Sequence, residues 1–438
     1  MKNMDINSYK DLLFSNSGSK KCYQFKNDDC TFNNNLLTNN LIKVVLLSKV
    51  NYENGAGGTR VSNLVKLFNH SKRFYTSSYV FTDNYDDNVV FEETPFSRCV
   101  SLGNYEKEKS KIKKYRKLFY NKKKIKNILE EEKPTLVLVY SVLTFRNISF
   151  LKKYCRKKNI KLIYDVVEYR KLTSSFSPFA FFGYNLHNNL ISSRFINKNT
   201  DGVICPTYFL KNHFENKRMV HNILLFPITM DVSNMPKYSK TDKIDKIVYL
   251  YAGMPHKKRD LLVNMIMAFN RLSKEEKERI ILVICGIGSE KLISEEKLPI
   301  DEYNKSLEFT LYLGSIPKSK VMDMLPNIDY TILLKNPKKR FSKAGFPTKM
   351  AESFSCAVPM IANLSGDMGY YMKDMENGLI CSTESIDDFL IQLKQSISIY
   401  QNKHSALSEG ALKTAKEQLD NSCYYDAFEI FIDEAFKK

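Results

Sequence analysis

Tryptophan is absent from the 438 residues. Strong base stacking by indole is therefore excluded, although 26 tyrosines and 28 phenylalanines remain for stacking. No Cys-x-x-Cys pair occurs among the nine scattered cysteines, Cys22, Cys30, Cys99, Cys155, Cys205, Cys285, Cys356, Cys381 and Cys423. Several lie in apolar runs such as Leu282-Val-Ile-Cys285, so buried reduced thiols in a cytoplasmic protein are expected rather than disulfides or zinc. No Asp-x-Asp motif or histidine cluster points to a metal site. No apolar run of the signal-peptide kind opens the chain, and no stretch reaches the ~18 apolar residues of a spanning helix. The uncharged stretch Leu172 to Ser193 is broken by Ser, Asn, His, Gly and Pro. Acidic residues are outnumbered, 48 against 67 Lys and Arg, for a formal charge of +19. That balance favours an anionic partner: nucleic acid, an acidic membrane surface or a phosphorylated substrate.

What is present reads as two α/β domains. Residues 1–40 are rich in Asn and Lys and weakly patterned, which predicts a variable or poorly ordered extension. Leu41-Ile-Lys-Val-Val-Leu-Leu-Ser48 then suits a buried parallel strand. A glycine-rich turn, Gly55-Ala-Gly-Gly58, follows, and Val61, Leu64, Val65 and Phe68 fall at helical spacing. Strand, glycine loop and helix open a doubly wound domain over 41–228, with further strands at Thr135–Tyr140, Lys161–Tyr164 and Gly202–Cys205. A polar stretch at 229–245 predicts a linker. A second alternating series fills 246–404, with strands at Lys246–Gly253, Ile280–Gly286, Phe309–Gly314, Asp329–Leu334 and Pro359–Ala362. Residues 405–438 predict C-terminal helices that cross back to the first domain. Two such domains predict a ligand site in the cleft between them, beyond the carboxyl ends of their strands.

Several short motifs stand in a suggestive order. They are Gly55-Ala-Gly-Gly-Thr-Arg60, Tyr164-Asp-Val-Val-Glu168, Asp201-Gly-Val-Ile-Cys-Pro206 and the Pro227 turn. Tyr251-Ala-Gly253 with a basic cluster, Cys285-Gly-Ile-Gly288, Leu313-Gly314, Gly345-Phe-Pro-Thr-Lys-Met-Ala-Glu352 and Glu376-Asn-Gly-Leu379 follow. In this order they resemble glycosyltransferases of the GT-B fold, specifically the retaining family 4 (group 1) type, over roughly residues 41–400. The resemblance implies two Rossmann-like doubly wound domains facing across a cleft. It also implies transfer of a sugar, a hexose among them, from a UDP- or GDP-linked donor, with no other cofactor and no metal.

The resemblance also implies roles. Gly57, Gly58, Gly253 and Gly286 permit close backbone approach to the donor, and helix N-termini can face its diphosphate. One of Lys257, Lys258 and Arg259 meets the charge that grows on the leaving diphosphate. Phe346, Pro347, Thr348 and Lys349 form the donor loop. Glu352 matches the family carboxylate that accepts from both ribose hydroxyls. The family's first glutamate is here Ala344, and a family histidine of the first domain is here Val167. Asp165 and Glu168 remain candidates for acceptor contact or for structural roles.

Residues 107–126 carry eleven Lys and Arg, and Ile112, Tyr115, Leu118, Phe119, Ile125 and Ile128 can share one helical side. Such a helix packs its apolar side on the sheet while its charged side attracts anionic lipid. The aromatic stretch Phe176 to Gly183 suits acceptor, lipid or core. The partners expected are a nucleotide-sugar donor, a glycan or lipid-linked acceptor of surface polysaccharide and the anionic inner face of the cell membrane, but not nucleic acid. The rivals are a sugar-nucleotide epimerase and a catalytically silent GT-B partner, the latter motivated by Ala344 and Val167. A nucleic-acid binder rests on charge alone.

Overall fold

The computed structural model describes residues 6–14, 41–52, 55–82, 84–103, 122–140, 145–167, 200–216, 220–255, 260–338 and 340–437. The chain divides into two compact units. The first comprises Lys26–Thr229 and Asn421–Lys438, the second Met230–Asp420 and Met1–Phe25.

The first unit is built on an eight-stranded sheet. Its strands are β1 (Ile42–Asn51), β2 (Phe74–Phe81), β3 (Asp87–Thr94), β4 (Ser97–Leu102), β5 (Leu136–Tyr140), β6 (Lys161–Asp165), β7 (Gly202–Cys205) and β8 (Ile223–Leu225). Their order is β3-β4-β2-β1-β5-β6-β7-β8, parallel except for the edge strand β3. Val44 to Leu47 and all of β5 are buried, as expected of central parallel strands covered on both faces. The helix Gly55–Ser71 follows β1 and buries Val61, Leu64, Val65 and Phe68 on one side. The last helix, Tyr425–Lys437, returns to this core and buries Phe428, Phe431, Ile432 and Ala435. Their spacing makes one apolar stripe, and Phe428 meets Phe68 edge to face at 4.9 Å.

The second unit holds a six-stranded, wholly parallel sheet. Its strands are β9 (Ile247–Ala252), β10 (Ile280–Cys285), β11 (Thr310–Gly314), β12 (Tyr330–Leu333), β13 (Met360–Asn363) and β14 (Gly378–Cys381), in the order β11-β10-β9-β12-β13-β14. Every residue of β10 is buried. Two parallel doubly wound layers are the GT-B architecture expected from the sequence.

Two further segments pack on the second unit. Within the predicted extension, the helix Tyr9–Leu13 packs into the second unit's core beside Val248, Ile281 and Val358. Tyr9 and Leu13 are one turn apart and form an apolar face, and Tyr9 Oη donates to Asp245 at 2.8 Å. The stretch read as a linker is pinned to the same unit. Lys240 Nζ and Tyr238 Oη donate to the buried Asp329 at 2.7 and 2.6 Å. Tyr400 Oη adds a third bond at 2.7 Å, so the Asp329 carboxylate is neutralised and saturated.

The helix Lys122–Glu132 buries Ile125, Ile128 and Leu129. The rest of the basic stretch, with Ile112, Tyr115, Leu118 and Phe119, lies outside the described residues, as does Phe176 to Gly183. Among the described residues, Cys99, Cys155, Cys205, Cys285, Cys356 and Cys381 are buried and Cys423 is exposed, all as free thiols. No described helix is long and apolar enough to cross a membrane.

Candidate functional site

In the second unit the ends of three neighbouring strands carry glycine. Gly253 follows β9, Gly286 follows β10, and Gly314 ends β11, with φ of +150°, +102° and +63°. Gly253 N donates to Cys285 O at 2.9 Å and Gly286 N to Gly314 O at 2.7 Å, which draws the ends together. A Cβ on Gly286 would stand 2.2 Å from Gly253 O, so backbone fills the space a side chain needs. Gly286→Ala should therefore cost the second unit roughly 2–3 kcal/mol through a left-handed φ and a clash that only backbone movement relieves. An unchanged urea midpoint would show that the strand ends are not closed in this way.

The helix Thr348–Ser355 brings the donor-loop residues to these ends. Pro347 occupies its N-cap, and no side chain caps it. Lys349, in its first turn, reaches back to β9. A Cβ on Gly253 would lie 2.7 Å from Lys349 Nζ, which is a second reason for glycine there. The ammonium stands 4.2 Å above the Tyr251 ring and 2.5 Å from Asp260 Oδ2. Tyr251 Oη donates to the same oxygen at 2.9 Å. Burial works against the Asp260 charge, but Lys349, Lys335 and these bonds outweigh it and hold the carboxyl below its usual range. Burial and the adjacent carboxylate push the Tyr251 phenol well above its usual value. At neutral pH Asp260 is thus a carboxylate and Tyr251 a neutral phenol.

Glu352 lies one turn beyond Lys349, so both side chains share one side of the helix. Its Oε1 is 2.7 Å from Lys318 Nζ, and its side chain is partly exposed. Phe346 is nearly buried and meets Tyr371 edge to face at 5.3 Å, which fixes the loop ahead of Pro347. Ala344 is buried. The structure thus gathers Gly253, Gly286, Phe346, Pro347, Thr348, Lys349 and Glu352 in one unit. Lys257, Lys258 and Arg259 lie outside the described residues, between Pro255 and Asp260.

The first unit's candidates have a different environment. Gly57 and Gly58 lie in the first turn of the helix Gly55–Ser71, where a Cβ on Gly58 would stand 2.0 Å from Tyr52 O. Glycine here lets the helix start against the strand it has just left. Asp165 is almost fully buried, and both its oxygens accept from Arg60, at 2.8 and 2.9 Å. Arg60 is itself wholly buried, donates to the carbonyls of Phe226 and Pro227 and stacks 4.6 Å from the Phe226 ring. Both Asp165 oxygens are thus paired with Arg60 inside the first unit's core. Val167 packs against the apolar core, and Glu168 lies outside the described residues.

Tyr251, Asp260 and Lys318, which contact Lys349 or Glu352, are not among the candidates that the sequence marks. The signal for the first two was local, a tyrosine in a buried strand and an acid closing the basic cluster. Among the described residues, no group of three His, Cys, Asp or Glu side chains is placed to hold a metal ion.

Comparison with known proteins agrees with this layout. Residues 233–414 match the family described as Glycosyl transferases group 1. No curated protein sequence matches the chain. Solved structures are similar over nearly the whole chain. Sucrose-phosphate synthase from Thermosynechococcus elongatus superposes with a TM-score of 0.69 at 12% identity, covering 90% of this chain and 99% of that one. The Anabaena protein HepE in complex with UDP-glucose gives 0.61 at 12% identity, over 90% and 99%. α,α-Trehalose 6-phosphate synthase from Burkholderia multivorans gives 0.58 at 10% identity, over 89% and 96%. The fold is therefore GT-B, and residues 233–414 of its second unit are similar to the group 1 glycosyl transferases.

Proposed function

We propose that this chain is a retaining family 4 glycosyltransferase that moves a hexose from a UDP- or GDP-linked donor to a glycan or lipid-linked glycan acceptor. One observation carries the reading. Lys349 and Glu352 stand one turn apart on the helix Thr348–Ser355, and Lys349 is seated against Gly253 at the end of β9. A lysine and a glutamate whose Cβ atoms lie about 5–6 Å apart on one side of a helix suit a diphosphate followed by a ribose. Lys349 holds the diphosphate, together with the backbone N–H groups that open the helix at Thr348, while Gly253 and Gly286 leave room for its approach. Glu352 accepts from the ribose hydroxyls. Phe346 and Pro347 fix the loop ahead of the helix.

In the reaction the bond from the anomeric carbon to the diphosphate oxygen breaks. The bond to the acceptor oxygen forms on the same face. The acceptor proton passes to the leaving phosphate oxygen. The diphosphate gains negative charge as its bond breaks, and Lys349 with one of Lys257, Lys258 and Arg259 meets that charge in place of a metal ion. No carboxylate base is required, which fits the structural burial of Asp165. The UDP-glucose complex of the Anabaena protein supports a UDP-hexose donor. The net charge of +19 supports a phosphate-bearing acceptor at an anionic membrane surface.

Incubation with a panel of nucleotide sugars tests this, with the anomeric configuration of the product read by NMR. Retained configuration is expected. An inverted product contradicts the mechanism, and a free epimerised nucleotide sugar favours an epimerase. Glu352→Gln should weaken nucleoside diphosphate binding about tenfold, the worth of one charge-assisted hydrogen bond in a partly buried site. Unchanged affinity removes the ribose assignment.

A further inference from the structure

Glu352 is already engaged. Lys318 Nζ lies 2.7 Å from its Oε1, with side-chain exposures of 26% for the lysine and 19% for the glutamate. Lys318 is the first residue of the helix Lys318–Met324, set there by Pro317 at the N-cap. It follows β11, whereas Glu352 belongs to the helix that precedes β13. Two separate elements therefore converge on one acid–base pair beside the strand ends. Gly314, four residues before Lys318, has no heavy atom of the described residues within 4 Å of the place a Cβ would take. The next lysine, Lys320, is spent elsewhere, 3.9 Å from Asp323 and 5.9 Å from the Phe14 ring.

A bland account is available. Partly exposed ion pairs contribute little to stability, and on that account this one only ties two helices together. The chemistry of a vicinal diol argues for more. Each ribose hydroxyl has one donor and two lone pairs. A carboxylate satisfies only the donors. In a partly dry site the hydroxyl oxygens then lose their water without replacement, which costs binding energy. An ammonium held against that same carboxylate supplies the missing donors, and its three N–H groups can serve the acid and a hydroxyl together.

We infer that Lys318 is a second ribose ligand and a determinant of the preference for ribonucleotides, donating to a hydroxyl oxygen while Glu352 accepts from the diol. This rests on the ribose assignment of Glu352 made above. The pair reads the diol in both polarities. A nucleotide lacking both hydroxyls leaves the two charges satisfied by each other and draws nothing from either.

The test is calorimetric. UDP, GDP and ADP are titrated into the intact chain, and the diphosphate that binds is compared with its 2′,3′-dideoxy counterpart, in wild type and in Lys318→Met. Wild type should prefer the ribonucleotide about 100-fold, and Lys318→Met should weaken the ribonucleotide about tenfold while leaving the dideoxy form unchanged. Lys318→Arg should keep most of the preference. Equal weakening of both forms overturns the inference, because the cation would then serve the diphosphate or the fold. Unchanged or tighter ribonucleotide binding by Lys318→Met overturns it too. Melting curves confirm that the variants are folded, and Lys318→Gln replaces any variant that is not, under the same criterion. A wild type that binds none of the three diphosphates overturns the donor-site reading itself and this inference with it.

Discussion

Lys349→Met should lower kcat/KM for the sugar donor about 10²–10³-fold, the usual cost of deleting one preorganised charge at the place where transition-state charge grows. The ammonium is held in position before any donor arrives, by Asp260 at 2.5 Å and by the face of Tyr251 at 4.2 Å. Preorganisation of this kind removes reorganisation from the reaction step. The substitution also leaves Asp260 in a mostly buried place without its nearest cation. Tyr251 and Lys335 offset part of that loss, and the Lys349 side chain is 24% exposed, so the stability cost should be smaller than the ~3–5 kcal/mol of a fully buried broken pair. Catalysis and folding are separable by the double variant Lys349→Met, Asp260→Asn. It should recover most of the melting temperature and none of the turnover. Recovered turnover would mean that Lys349 acts only by neutralising Asp260.

The largest stability effect belongs to the first unit. Asp165→Ala should cost roughly 3–5 kcal/mol, because it strands the Arg60 guanidinium where no solvent reaches it. Domains are stable by only ~5–15 kcal/mol, so this variant should unfold at a much lower urea concentration, and its first unit should lose native structure first. The carbonyls of Phe226 and Pro227 do not replace a counter-charge. Changing both partners to apolar residues, Arg60→Met with Asp165→Leu, should be far milder than either single change. If Asp165→Ala instead leaves the urea midpoint in place and raises the acceptor KM, Asp165 belongs to the acceptor site.

These two expectations show where the sequence was legible. Continuous apolar runs such as Val44 to Leu47 and Ile280 to Cys285 announced central parallel strands, because strands buried on both faces have no polar positions. The helix after β1 was visible in the spacing of Val61, Leu64, Val65 and Phe68. Gly345 to Glu352 was visible as a unit because its residues are adjacent. What could not be seen was pairing at long range. Arg60 and Asp165 both stand in recognisable motifs, yet nothing in either announces a partner 105 residues away. Lys349 and Asp260 are separated by 89 residues, and Asp260 is held where they meet by its bridge to Lys335 beyond β12. Periodicity reports which face of an element is apolar, not what covers it. For the same reason the helix Tyr9–Leu13, too short to stand out in a polar stretch, is explained only by the core it enters.

The donor site is the centre of this account, and calorimetric titration of nucleoside diphosphates into the intact chain addresses it most directly. One nucleotide bound per chain is expected, with affinity reduced by Lys349→Met and by Glu352→Gln while both variants melt cooperatively. No binding of any nucleoside diphosphate, or binding that neither substitution disturbs, would contradict it.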